Sequence, residues 1–186
     1  MEAMLIGSPD KLLVSFFSGR KHTKKIYIIS GESGSGKTLW CMRLFHEAKS
    51  RNLDVKGLVS IPVYERDVKT GFNLQNLESG LFKPLGFKNI KLDGLLPVGS
   101  WNFDNSTIKW GNQILGNIQN CQLLIIDELG PLEFVDKGGL QKAFEILDSN
   151  RYEKAIVVVR PSLLDQATSI WPSAEVIHIP EREMPA

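Results

Sequence analysis

The stretch that decides the fold is KKIYIISGESGSGKT, Lys24 to Thr38. KKIYIIS is apolar, β-branched and aromatic and runs into glycines, which is the pattern of a buried strand ending at a turn. GESGSGKT, Gly31 to Thr38, then satisfies G-x-x-x-x-G-K-[ST] in full. Glycines let the backbone curl until successive N–H groups face one concavity, and a helix start adds the positive end of its dipole. Such a cradle takes phosphate. Gly31, Glu32, Ser33, Gly34, Ser35, Gly36 and Leu39 supply the loop and the helix start. Lys37 is placed to reach the β- and γ-phosphates, and the Thr38 hydroxyl to ligate Mg²⁺. The helix itself shows in Cys41, Leu44, Phe45 and Ala48, spaced i, i+3, i+4, i+7 on one face.

A second stretch, QLLIIDELGPLEF (Gln122 to Phe134), carries an apolar strand into two adjacent carboxylates. Charges at the end of a buried strand need a task. Beside a phosphate loop, Asp127 is read as the acid that holds Mg²⁺ through water. Glu128 is then placed as general base or water-positioner for attack on the γ-phosphate. The plainer alternative is a salt bridge at the start of the loop. Glu133, six residues past Asp127, reads as a structural tie, with reach toward the metal as the alternative.

Strand alternates with helix along the rest of the core. DVKGLVSI returns as a strand, and FDNSTIKWGNQILGNI reads as a helix capped near Asp104 or Ser106, with Ile108, Ile114, Leu115 and Ile118 on one side. A helix carrying Leu140, Phe144 and Leu147 follows the acidic strand. Then come the strand KAIVVVR (Lys154 to Arg160), a short helix from Ser162 to Trp171 and a last strand, Ala174 to Ile179. Continuous apolar strands alternating with helices predict a parallel α/β sheet covered by helices on both faces. Phosphate-loop enzymes with a glutamate like Glu128 insert an extra strand between the loop strand and the acidic strand, and KAIVVVR is the candidate. Arg160, at its end, either senses the γ-phosphate and stabilises transition-state charge or caps the sheet edge.

The chain is read as one domain over 1–186, with the core at about 24–61 and 104–180 and a β-rich insertion at about 62–103. The insertion's hairpin tip is expected at Asp67-Val68-Lys69. Lys69, near the tip, reaches either the nucleotide or nothing, the second reading being preferred, and Trp101 and Trp110 are expected to serve packing rather than base stacking. His22, His46 and His178 have no metal spacing.

Composition narrows the class. Hydrophobic residues make up 42% of the 186 and the formal net charge is +1, which speaks for a sizeable core and against a broad nucleic-acid or membrane face. GRKHTKK (Gly19 to Lys25) is read as a solvated lead-in to the first strand. Cys41 and Cys121 lie in apolar patterns and read as reduced core thiols. No apolar run approaches about 18 residues, and the N-terminal pattern is not that of an export signal. The expectation is a cytoplasmic enzyme or binding protein.

Together, GESGSGKT, GLVS, the hairpin KTGFNLQNLESG, WNFDNSTIKWGNQIL and LLIIDELGPLEF resemble the THEP1-type nucleoside-triphosphatase family, in family order from about Lys24 to Ile179. The resemblance implies a diverged bacterial-type member with an additional-strand, RecA-like core and a β insertion. It also implies Mg²⁺-dependent hydrolysis of ATP, GTP and other nucleoside triphosphates. The loop glycines, Lys37, Thr38, Asp127 and Glu128 carry over residue by residue. Where better-known members have a Glu-Val-Arg-like stretch after the second strand, this chain has Pro62-Val63-Tyr64. Two other functions share the loop and Asp127: a kinase passing the γ-phosphate to a small acceptor, and a nucleotide-gated switch or adaptor. A kinase of this build usually carries an arginine-rich lid, and the insertion holds only Arg66.

Overall fold

The computed structural model describes residues 9, 12–14, 24–89 and 95–180. His22 and most of the basic run before Lys24 lie outside the described residues. Strand β1 (Lys25–Ser30) passes through the glycine loop into helix α1 (Lys37–Ser50), and β2 (Val55–Glu65) follows. Next come β3 (Val68–Asn76), β4 (Phe82–Lys88), β5 (Leu95–Val98), β6 (Trp101–Asp104), helix α2 (Asn105–Asn117) and β7 (Cys121–Leu129). Two short helices, α3 (Pro131–Phe134) and α4 (Lys142–Asp148), separate β7 from β8 (Tyr152–Val159). A 3-10 turn at Pro161–Leu163, helix α5 (Leu164–Ile170) and β9 (Glu175–His178) complete the order.

The nine strands of the described residues join one sheet in the order β5-β6-β4-β3-β2-β7-β8-β1-β9. From β2 to β9 every neighbour is parallel. As expected from KAIVVVR, β8 lies between the loop strand β1 and the acidic strand β7. Each central strand divides its side chains between two cores: Ile28, Ile126 and Val157 enter one, and Ile29, Ile125 and Val158 the other. Helix α1 covers the second through Trp40, Cys41 and Leu44, while α2 and α4 cover the first through Ile108, Leu115, Ile146 and Leu147. The expected cover on both faces is present. Cys41 and Cys121 are buried free thiols. Helix α2 begins where its cap was expected, with the Asp104 carboxylate accepting the Thr107 N–H at 2.7 Å.

The β-rich region extends the same sheet as an antiparallel wing, β3 to β6. No break marks position 62, because β2 runs through Pro62 to Glu65. The hairpin tip falls one residue earlier than expected, at Arg66 and Asp67, which both take positive φ (47° and 64°). Val68 pairs with Glu65 and belongs to the strand, as a β-branched residue prefers. Lys69 does make contacts: its ammonium lies 5.3 Å from the Phe72 ring centre and 5.4 Å from that of Trp101. Trp101 packs edge-on against Phe72 at 5.1 Å, and Trp110 is half-buried against the first core, both in packing roles.

Candidate active site

The parallel strands set their C-terminal ends side by side, and the loop, β7 and β8 all release chemistry-bearing residues there. Gly36 has φ 96°, a left-handed conformation that the turn into α1 requires and that side chains resist. At the other end of the loop a Cβ on Gly31 would lie 2.5 Å from the Ile179 carbonyl oxygen, so the last strand's exit leaves room only for hydrogen there. The Ser35 hydroxyl is buried and finds no hydrogen-bond partner among the described residues. Leaving such a group unpaired costs about 1–3 kcal/mol, so the loop keeps a donor ready for an anion. The Leu39 side chain is exposed, which leaves its backbone as its contribution.

Lys37 curls back over the loop. Its ammonium donates to the carbonyls of Gly31 and Glu32, both at 2.7 Å, which uses two of its three donors. Burial lowers its pKa, the nearby Glu128 and Asp127 carboxylates oppose that, and Arg160 adds to it. Four charges from three segments therefore share one field.

Strand β7 brings two neighbouring acids to one place by breaking its own alternation. Ile126 pairs with Val157 and Leu129 with Val159, so three steps along β7 match two along β8. The extra residue is a β-bulge, a device that re-aims side chains next to sites. Its effect is visible in the core: Leu124 and Ile126 enter the first cluster, and Leu129 joins them although strict alternation would send it to the other face. Asp127 is only 1% exposed. Its backbone carbonyl accepts the Ser60 hydroxyl at 2.9 Å. Burial pushes its carboxyl up to about 7, and a hydrogen bond with the Thr38 side chain pulls the other way. Glu128, displaced from the alternation, forms an ion pair with Arg160 from the end of β8. The ion pair is the plainer of the two readings given for Glu128. Arg160 follows β8, a strand flanked by β7 and β1, and its side chain reaches Glu128 at the end of β7.

Thr38 and Asp127 are the pair that could hold a divalent cation. A hydroxyl and a carboxylate in hydrogen-bond contact are hard oxygen donors, and a fully buried carboxylate gains from a cation beside it. Among the described residues no group of three or more His, Cys, Asp or Glu side chains is arranged around a metal. His46 lies beside Phe45 and His178 is exposed on β9, neither in the site.

One participant was not foreseen: Ser60 holds the Asp127 backbone from the neighbouring strand, and a serine at a strand end carries no distinguishing mark. Glu133, expected as a structural tie, is buried and binds the loop after the acids.

Comparison with known proteins agrees with this geometry. A family model described as NTPase matches residues 26–179. The nucleoside-triphosphatase THEP1 of Caldivirga maquilingensis is 30% identical over 124 residues, 67% of this chain and 69% of that protein. The THEP1 of Sulfurisphaera tokodaii is 29% identical over 135 residues, 72% of this chain and 75% of that protein. Among solved structures, a human cancer-related nucleoside triphosphatase superposes with a TM-score of 0.65 at 20% identity, covering 83% of this chain and 88% of that one. THEP1 from the hyperthermophile Aquifex aeolicus gives 0.60 at 20% identity, covering 83% and 90%. These structural likenesses establish the phosphate-loop α/β fold. With the family match over most of its length, the chain belongs to the NTPase family of THEP1-type nucleoside-triphosphatases.

Proposed function

We propose that the chain hydrolyses the β–γ bond of ATP, GTP and other nucleoside triphosphates in the cytoplasm, with Mg²⁺ held by Thr38 and Asp127 and water oriented by Glu128. The observation that carries this reading is the convergence of Lys37, Thr38, Asp127, Glu128 and Arg160 at one edge of the sheet. Bound Mg²⁺ supplies charge neutralisation on the β- and γ-phosphates. The loop N–H groups and the Lys37 ammonium hold the phosphates in line, so the γ-phosphorus faces the end of β7. The Glu128 carboxylate accepts a hydrogen bond from the attacking water and turns its lone pair toward phosphorus. Arg160, adjacent to Glu128, donates to the oxygens on which charge develops. The chemistry is positioning and electrostatics, with little covalent work for the protein. Buried, unpaired Cys41 and Cys121 suit a reducing compartment.

The test is phosphate release from ATP, GTP, CTP and UTP with Mg²⁺, for the native chain beside Glu128→Gln. The variant keeps the shape and removes the carboxylate. The expected outcome is turnover of several nucleotides by the native chain and a fall of about a hundredfold or more in kcat for Glu128→Gln, with nucleotide binding retained. Equal turnover by both would remove Glu128 from the mechanism. Tight binding by both without phosphate release would move the assignment to a switch, or to a kinase if an added acceptor becomes phosphorylated.

A further inference from the structure

The carboxylate of Glu133 is 7% exposed and faces no cation in the ion pairs of the described residues. Both of its oxygens are occupied by backbone donors: Oε2 accepts the Gly130 N–H at 2.9 Å and Oε1 the Leu140 N–H at 3.0 Å. A glutamine has one acceptor and would turn its NH₂ toward the other N–H, so only a carboxylate serves both. The surroundings are cut to fit this group. A Cβ on Gly139 would fall 1.9 Å from Glu133 Oε1, and Gly139 has φ 62°. The Asn112 amide of α2 donates to the Gly139 carbonyl at 2.8 Å and accepts the Lys142 N–H at 2.8 Å, which ties the same loop to the helix behind it.

The position of Gly130 gives the contact its meaning. The β7–β8 ladder ends at Leu129 paired with Val159, and Gly130 follows directly. The bulge that turns Glu128 out of the alternation has its near end anchored by Ile126 on Val157. Its far end has one ladder pair and then Glu133. A bulge held at one end only leaves its extra residue free to rotate, while one held at both ends fixes a direction. Asp127 has a separate clamp in Ser60, which reaches it from β2. Each acid thus has its own holder.

We infer that Glu133 is a positioning residue for the hydrolytic reaction, one that acts through Glu128 by fixing the far end of the bulge. This rests on the proposed role of Glu128. A misplacement of about 1 Å at a reacting group costs up to about a hundredfold in rate, so the effect falls on turnover and spares nucleotide affinity.

The experiment measures kcat and KM for Mg·ATP hydrolysis by the full chain as native, Glu133→Gln, Glu128→Gln and the double variant. Glu133→Gln is expected to lower kcat by about tenfold or more with KM held within about twofold, and to add nothing in the Glu128→Gln background. A residue that merely stabilised the fold would lower the residual rate in both backgrounds alike, and that result would overturn the inference, as would an unchanged kcat. If Glu133→Gln does not fold, Asn112→Ala, which loosens the same loop from α2 and leaves the carboxylate, carries the same comparison with the same two outcomes. Failure of the parent reading looks different: Glu128→Gln alone then turns over like the native chain, and the inference falls with it. A slow Glu128→Gln beside a native-like Glu133→Gln removes the inference alone.

Discussion

The two halves of the sheet are built from the same backbone ladder and do different work. In the parallel half, β8 buries seven of its eight residues; in the antiparallel wing, β4 buries two of seven. Burial on both faces holds the parallel strand ends at fixed height, and Lys37, Thr38, Asp127, Glu128 and Arg160 all stand on that edge. The wing has one covered face, presents Phe82 and Leu96 to solvent, and contributes none of these residues. Rigidity and the proposed chemistry coincide, which is what a mechanism made of positioning requires.

The sharpest way to break this contrast is at the loop. Lys37→Ala is expected to lower kcat/KM for nucleotide hydrolysis on the order of a thousandfold, equivalent to about 4 kcal/mol of transition-state stabilisation. Steady-state phosphate release checks it, and near-native turnover would move the chemistry off the parallel edge. Next in size is the core itself. Leu124→Ala, in a fully buried position on β7, should cost about 3 kcal/mol in denaturant unfolding. Phe82→Ala on the wing should stay within about 0.5 kcal/mol. Similar losses at both would mean that the wing carries load.

The smallest effect lies at the junction, where β6 hands over to α2. Asp104→Ala removes the cap and should cost about 1 kcal/mol at neutral pH. The hydrogen bond from Ser106, backed by Thr107, holds the Asp104 carboxyl below its ordinary value, against burial. A lowered folded-state pKa gives stability that is present above the unfolded value and is lost as pH falls through the folded one. The difference between native and Asp104→Ala should therefore shrink in acid, below the ordinary aspartate range near 3.8, and unfolding curves at pH 7 and at pH 3 would show it.

Much of the parallel half was legible because its signals are local. GESGSGKT needs no distant contact to be read, LLIID and AIVVV are apolar throughout because both faces are covered, and the place of β8 followed from the acid after Asp127. The wing was harder. A proline inside a strand argues for a break, yet Pro62 is tolerated for a reason visible only in three dimensions. The β2–β7 pairing stops at Leu58 with Ile126, and the Ser60 N–H still points to the β7 side, toward Asp127. Pro62, two residues on, faces the same side after β7 has fallen away, where no donor is needed. The bulge at Asp127 and Glu128 was equally hidden, since no glycine or proline announces it. For Glu133 a structural tie was expected, but the two backbone N–H groups it accepts from became visible only in the fold.

Strand β2 belongs to both halves, paired with β7 at its start and with β3 to its end. Between Leu58 and Glu65 it has no glycine, three β-branched residues and a proline, each of which narrows backbone freedom. In mechanical terms it is a spar and not a hinge. Its outer end carries the hairpin turn at Arg66 and Asp67, and about 20 Å inward it carries Ser60 against the backbone of Asp127. The ladder with β3 slips once, between Val63 and Tyr64, and inward of that step it runs in register to the serine that holds Asp127.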